Sequence, residues 1–191
     1  GMFGRVMSAM PESYRRLQDG DVLNIGGREW EVVVGNGHSP EHACLYCREL
    51  NVLLSGDQIL PTISSNVSVY PTEPEANPLQ DWLRSIDKLL AHLPEDVLVL
   101  PAHGRPFRGV HARLCELRDD HLRDLKKAAR LCAEPKRAVD VFPALFRREI
   151  TSRELIMATG EAIAHLNWLI NDGQVTRETD SDGVHWYSSH G

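Results

Sequence analysis

Apolar residues in the first hundred positions fall into short runs rich in β-branched side chains, separated by turn residues. Val22-Leu23-Asn24-Ile25 and Trp30-Glu31-Val32-Val33-Val34 flank Gly26-Gly27. A glycine pair supplies the positive φ angles of a tight turn, so this stretch predicts a β-hairpin, closed by Gly35-Asn36-Gly37-His38. Ala43 to Tyr46 and Val52-Leu53-Leu54 predict two more strands. Val97-Leu98-Val99-Leu100, apolar without alternation, predicts one buried on both faces.

Elsewhere the period is helical. Residues 9 to 18 are expected to form a short helix ended by Asp19-Gly20-Asp21. From Pro78 to Leu93, Leu79, Trp82, Leu83, Ile86, Leu89 and Leu90 fall on one face, with Asn77 as N-cap and Pro78 at the first helical position. From Val110 to Ala133 the spacing of Leu114, Leu117, Leu122, Leu125 and Leu131 predicts a long amphipathic helix, stopped by Pro135. Beyond Arg137 the elements shorten. Helices are expected over Val139 to Phe146, from an N-cap at Ser152 with Glu154 behind it, and over Glu161 to Asn171 with Gly173 as stop. A hairpin of Val175 to Glu178 and Val184 to Tyr187 follows, turning at Asp182-Gly183. Three helices and a hairpin are the order of a winged helix, which places a boundary near Glu134-Pro135 and gives units at 1–134 and 135–191.

Composition removes several classes. Hydrophobic residues at 42% and charged residues at 25% exclude wholesale disorder. The 21 Lys and Arg against 27 Asp and Glu leave a charge of -6, which argues against a general binder of phosphate backbones. Locally the same holds: the helix that would enter a nucleic-acid groove, Glu161 to Asn171, has no Lys or Arg, and Arg177 in the wing faces Glu178, Asp180 and Asp182. The basic residues from Lys126 to Arg137 read as a solvated helix face. Four cysteines are too few for a disulfide scaffold, and no apolar run nears the roughly 18 residues of a membrane span, so a cytoplasmic protein is expected. Gly1 ahead of Met2 reads as a tag-cleavage scar, with no signal pattern behind it.

Three metal-ligand residue types each sit just beyond an apolar strand: His38 after Val32-Val33-Val34, Asp57 after Val52-Leu53-Leu54, and His103 after Val97 to Leu100. A rigid sheet delivers side chains at its strand ends into a common crevice, and imidazole with carboxylate suits Zn²⁺. Gly37, Gly56 and Gly104 flank them and would let backbone pass close to such a site. Singly, each reads more readily as a turn or solvated-loop residue; together the three point to a site. Cys44 and Cys47, three apart in a strand, face opposite sides and are read as packing. His42 is open between orienting the site and standing on the surface. Arg105 and Arg108 are open between an anionic substrate and solvent, and His111, His121 and His165 read as satisfied or solvated helix residues.

Gly37-His38-Ser39-Pro40-Glu41-His42, Leu54-Ser55-Gly56-Asp57 and Pro101-Ala102-His103-Gly104 resemble, in order and spacing, the last three ligand motifs of the metallo-β-lactamase superfamily. Gly56 to Leu79 resembles the bacterial branch that carries a C-terminal winged helix. The resemblance implies that His38 binds one metal, Asp57 bridges two and His103 binds the second, with hydrolysis by metal-bound hydroxide. Substrates in that superfamily include thioesters, esters, amides, lactones and phosphodiesters; an ester or thioester is expected here. Zinc is implied, and Fe²⁺ or Mn²⁺ accept the same donors. The superfamily's His-x-His-x-Asp-His motif is absent, since the chain has no His-x-His. The expected fold class is therefore α/β: a partial metallo-β-lactamase-like αββα sandwich, its C-terminal half, followed by a small winged-helix domain. Metal is expected to be weak or absent in this chain, and no catalytic side chain is assigned. The uncovered sheet is expected to be buried in a homodimer or beneath the residues before Asp19. A non-catalytic remnant that binds through its winged helix or sheet is the alternative.

Overall fold

The computed structural model describes residues 12–189. Strands β1 (Val22–Ile25), β2 (Arg28–Gly35), β3 (His42–Cys47), β4 (Val52–Gly56) and β5 (Leu98–Pro101) form one sheet in sequence order. The first four pair antiparallel, with Ile25 opposite Arg28 across the tight turn at Gly26-Gly27. β5 joins β4 in parallel, so its connection must cross over, and α1 (Pro78–His92) makes that crossover. The side chain of Asn77 accepts from the Gln80 N–H at 3.3 Å, capping α1 as expected, with Pro78 in its first turn.

Register settles what each sheet face does. Val33 pairs with Cys44, Tyr46 with Leu53, and Leu53 with Val99, so these share one face. They join Trp82, Ile86 and Leu89 of α1 in a buried cluster that continues to Val175 and Tyr187. Each of the α1 side chains contributes about 1.5–3 kcal/mol of hydrophobic stabilisation. The opposite face carries the row Val32, Leu45, Leu54, Leu100. Val32 is buried there, but Leu45, Leu54, Leu98 and Leu100 are only half-buried, so β5 is fully buried on one face rather than both. Cys44 and Cys47 do point to opposite faces, and all four cysteines are free thiols.

Helix α2 (Val110–Leu131) runs long, as its leucine spacing predicts. Then follow a 3-10 turn (Ala138–Val141), α3 (Phe142–Leu145), α4 (Leu155–Asn171) and the hairpin of β6 (Val175–Thr179) and β7 (His185–Ser189). Two expectations need correction. Residues 12–18 are not helical: so short a helix with little to bury is marginal, and the run is tied instead by Gln18 N–H to the Asp21 carboxylate at 2.9 Å. Residues 9–11 lie outside the described residues. The helices expected from Ser152 and over Glu161 to Asn171 are one, α4, which passes through Gly160 without a break.

Candidate metal centre

β2, β4 and β5 run the same way, so their C-terminal ends meet at one rim of the sheet, where β3 also begins. From that rim come the three strand-end residues. His38 Nε2 lies 3.9 Å from Asp57 Oδ2, and His103 Nε2 lies 3.5 Å from Asp57 Oδ1. Ligands bonded to one tetrahedral zinc stand about 3.4 Å apart, so both imidazoles are at ligand spacing from the carboxylate. His103, 70% exposed, forms the open side. Among the described residues, no group of three or more His, Cys, Asp or Glu already meets the geometry of a metal cage.

The donors are prepared chemically. His38 Nδ1 is 2.8 Å from the Asn66 carbonyl, which can only accept; Nδ1 therefore carries a proton, and in the neutral ring Nε2 keeps a free lone pair toward Asp57. Asp57 Oδ1 is buried with no hydrogen-bond partner. A carboxylate flanked by two imidazoles, with one oxygen left without a hydrogen bond, fits a divalent cation, since a buried acceptor otherwise costs about 1–3 kcal/mol. His42 takes part too. Its Nε2 accepts from the Asp57 N–H at 3.1 Å, and burial, reinforced by His38 nearby, depresses its pKa and keeps it neutral. Gly56 makes that approach possible, because a Cβ there would stand 2.4 Å from His42 Cε1 at a φ of +52°. Gly37 serves a different contact from the one expected: its free space is taken by Trp82 of α1.

The loop after Asp57 is held on several sides. Arg113 of α2, buried, donates through Nε to the Leu60 carbonyl at 2.7 Å and through Nη2 to the Ile63 carbonyl at 2.8 Å. Ser65 Oγ donates to the Asp57 carbonyl. Of the two arginines behind His103, Arg108 donates to the Asp96 carbonyl, while both are exposed. A cleft of about 160 Å³ opens beside His38, bordered by Pro40, Ser68, Tyr70 and Glu73.

Comparison with known proteins gives the family. The family model "Metallo-beta-lactamase superfamily" matches residues 4–103, and "Metallo-beta-lactamase-like, C-terminal domain" matches residues 125–190. The chain belongs to the metallo-β-lactamase superfamily. A solved β-lactamase domain protein from Burkholderia ambifaria is 47% identical with a TM-score of 0.91, covering 95% of this chain and 54% of its own. A metallo-β-lactamase family protein from Thermus thermophilus is 32% identical with a TM-score of 0.80, covering 94% and 56%. The acyl-coenzyme A thioesterase MBLAC2 of Gallus gallus is 33% identical over 95 residues, 49% of this chain and 32% of that protein. The chain thus spans about half the length of the two solved superfamily structures and a third of the thioesterase.

Sequence reasoning brought together the three strand-end residues but left His42 open and passed over Asn66. The signal for His42 was its spacing of four from His38 across a loop. Asn66 had none, because it acts through its backbone carbonyl.

Proposed function

We propose that this chain carries the His38, Asp57 and His103 ligand set of a metal-dependent hydrolase acting on esters or thioesters. Asp57 carries the reading: its Oδ1 is buried and unpartnered, with an imidazole at ligand spacing from each carboxylate oxygen. When bound there, a divalent ion such as zinc, iron or manganese supplies Lewis acidity and activates water for attack on a carbonyl carbon. The chain's own residues prepare for this. Asn66 fixes the His38 tautomer, and His42 holds the backbone under Asp57. The likeness to an acyl-coenzyme A thioesterase supports the thioester class. Residues 135–191 are taken as a winged-helix unit that packs rather than reads nucleic acid, since α4 buries Ala158, Ala162, Leu166 and Leu169 in the core. Four free thiols favour a reducing, cytoplasmic setting, and among the described residues no helix is long and apolar enough to cross a membrane.

The test is zinc equilibration of the purified chain, dialysis and elemental analysis, with acyl-thioester cleavage followed by thiol release. Weak, substoichiometric zinc that is lost in Asp57→Ala and His103→Ala is expected. Zinc retention or thioester cleavage unchanged in Asp57→Ala would overturn the proposal. A second reading, a binding module that pairs through its sheet, draws on the half-buried Leu45, Leu54 and Leu100; a metal-free chain whose fold is unchanged by His103→Ala favours it.

A further inference from the structure

Residues 66–69 lie between the metal centre and α4, and each side bonds to them. Toward the centre, the Asn66 carbonyl accepts from His38 Nδ1 at 2.8 Å. Toward α4 there are two bonds: Asn66 Nδ2 donates to Glu161 Oε2 at 2.8 Å, and the Val69 N–H donates to the Gly160 carbonyl at 3.0 Å. Ser68 Oγ gives its one proton to Asn66 Oδ1, so both ends of the Asn66 amide are held, and lies 3.2 Å from the Met157 carbonyl. The approach is close enough that a Cβ on Gly160 would stand 2.9 Å from Ser68 Cβ and from the Val69 carbonyl oxygen.

We infer that Glu161 of α4, acting through Asn66, is a positioning residue for His38: it fixes the carbonyl that selects the Nδ1–H tautomer and so leaves Nε2 free to bind a cation. This rests on His38 being a ligand, but the positioning itself concerns this chain without metal. A neutral imidazole in water prefers the opposite tautomer, with the proton on Nε2, so the selection has to come from a fixed acceptor. Asn66 can be that acceptor only while its backbone stays put, and the side-chain bond to Glu161 spans 95 positions of sequence to hold it. Outer partners of ligating histidines commonly account for about 10–100-fold in metal affinity.

The experiment is ¹⁵N NMR of the His38 ring in the full chain, metal-free and at pH 8, for the parent, Glu161→Ala and Glu161→Gln. Gln keeps an oxygen that accepts from Asn66 and removes the charge. The parent and Glu161→Gln are expected to show the Nδ1–H pattern, and Glu161→Ala a mixture shifted toward Nε2–H, with zinc binding about 10–100-fold weaker. Asn66→Ala replaces Glu161→Ala should the latter not fold, and Ala162→Gly, which weakens α4 at a side chain buried in the apolar core, is expected to leave the tautomer alone. A His38 pattern unchanged in both Glu161→Ala and Asn66→Ala would overturn the inference. Failure of the hydrolase reading looks different: zinc then leaves the His38 signals of the parent chain unmoved whatever the tautomer.

Discussion

The buried His121 and His165 and the half-buried Glu161 form a network whose protons can be placed. His165 Nδ1 donates to the Glu161 carbonyl at 2.8 Å, and burial depresses its pKa, so its Nε2 is an acceptor. His121 Nδ1, 3.3 Å away, must then donate to it. Burial holds His121 down at about 3, which leaves its Nε2 a buried acceptor with no partner in the protein. Burial pushes Glu161 up to about 7. The two effects have opposite signs. Below pH 6.5 the unfolded histidines take up protons that the folded ones refuse, so stability falls with acid. Between the ordinary 4.5 and about 7 folded Glu161 keeps a proton that the unfolded chain has released, so its contribution falls as pH rises through that window. Urea denaturation from about pH 4 to 8 is expected to show Glu161→Gln losing the alkaline-side decline and His121→Gln losing part of the acid-side one. Identical pH profiles for parent and Glu161→Gln would mean that Glu161 is ionised throughout. At this scale the sequence was legible where a residue's own strand carries it to the rim, as for His38, Asp57 and His103. It was not legible for Glu161 or Asn66, whose partners are set by the packing of distant elements.

Among elements, α4 shows how packing overrides a local signal. Glycine costs a helix about 1 kcal/mol relative to alanine, yet Gly160 lies inside α4. Its value lies in the close pass by Ser68 and Val69. In an exposed helix Gly160→Ala would stabilise; here the added methyl meets backbone at 2.9 Å, and overpacking of about 1–3 kcal/mol outweighs the propensity gain. A lower melting temperature is expected by circular dichroism, and a higher one would show that α4 does not sit this close. The strands and α1 were readable because period, cap and turn agree within each segment. The run at 12–18 failed for the converse reason: a weak helical pattern had nothing to pack on.

Taken whole, the molecule has one sheet face under α1 and one that presents Leu45, Leu54, Leu98 and Leu100 half-buried. A half-buried apolar row of this kind favours association. Sedimentation of the chain is expected to reveal dimers at micromolar concentration, reduced in Leu45→Lys, whereas a monomer across that range would mean the face is already sufficiently covered. The α/β class and order of elements were legible at this scale because each segment announces itself; which surfaces remain open was not, because that depends on what lies against them. The sheet also has two unlike rims. The candidate chemistry stands at the ends of β2, β4 and β5 and the start of β3, while the opposite rim holds, among the described residues, the turns at Gly26-Gly27 and Arg48 to Asn51 and the entry to β5. A dye, tether or surface attachment fixed at either turn would therefore report on or immobilise the protein from the side remote from its ligands, a sidedness that makes those turns natural handles for the measurements above.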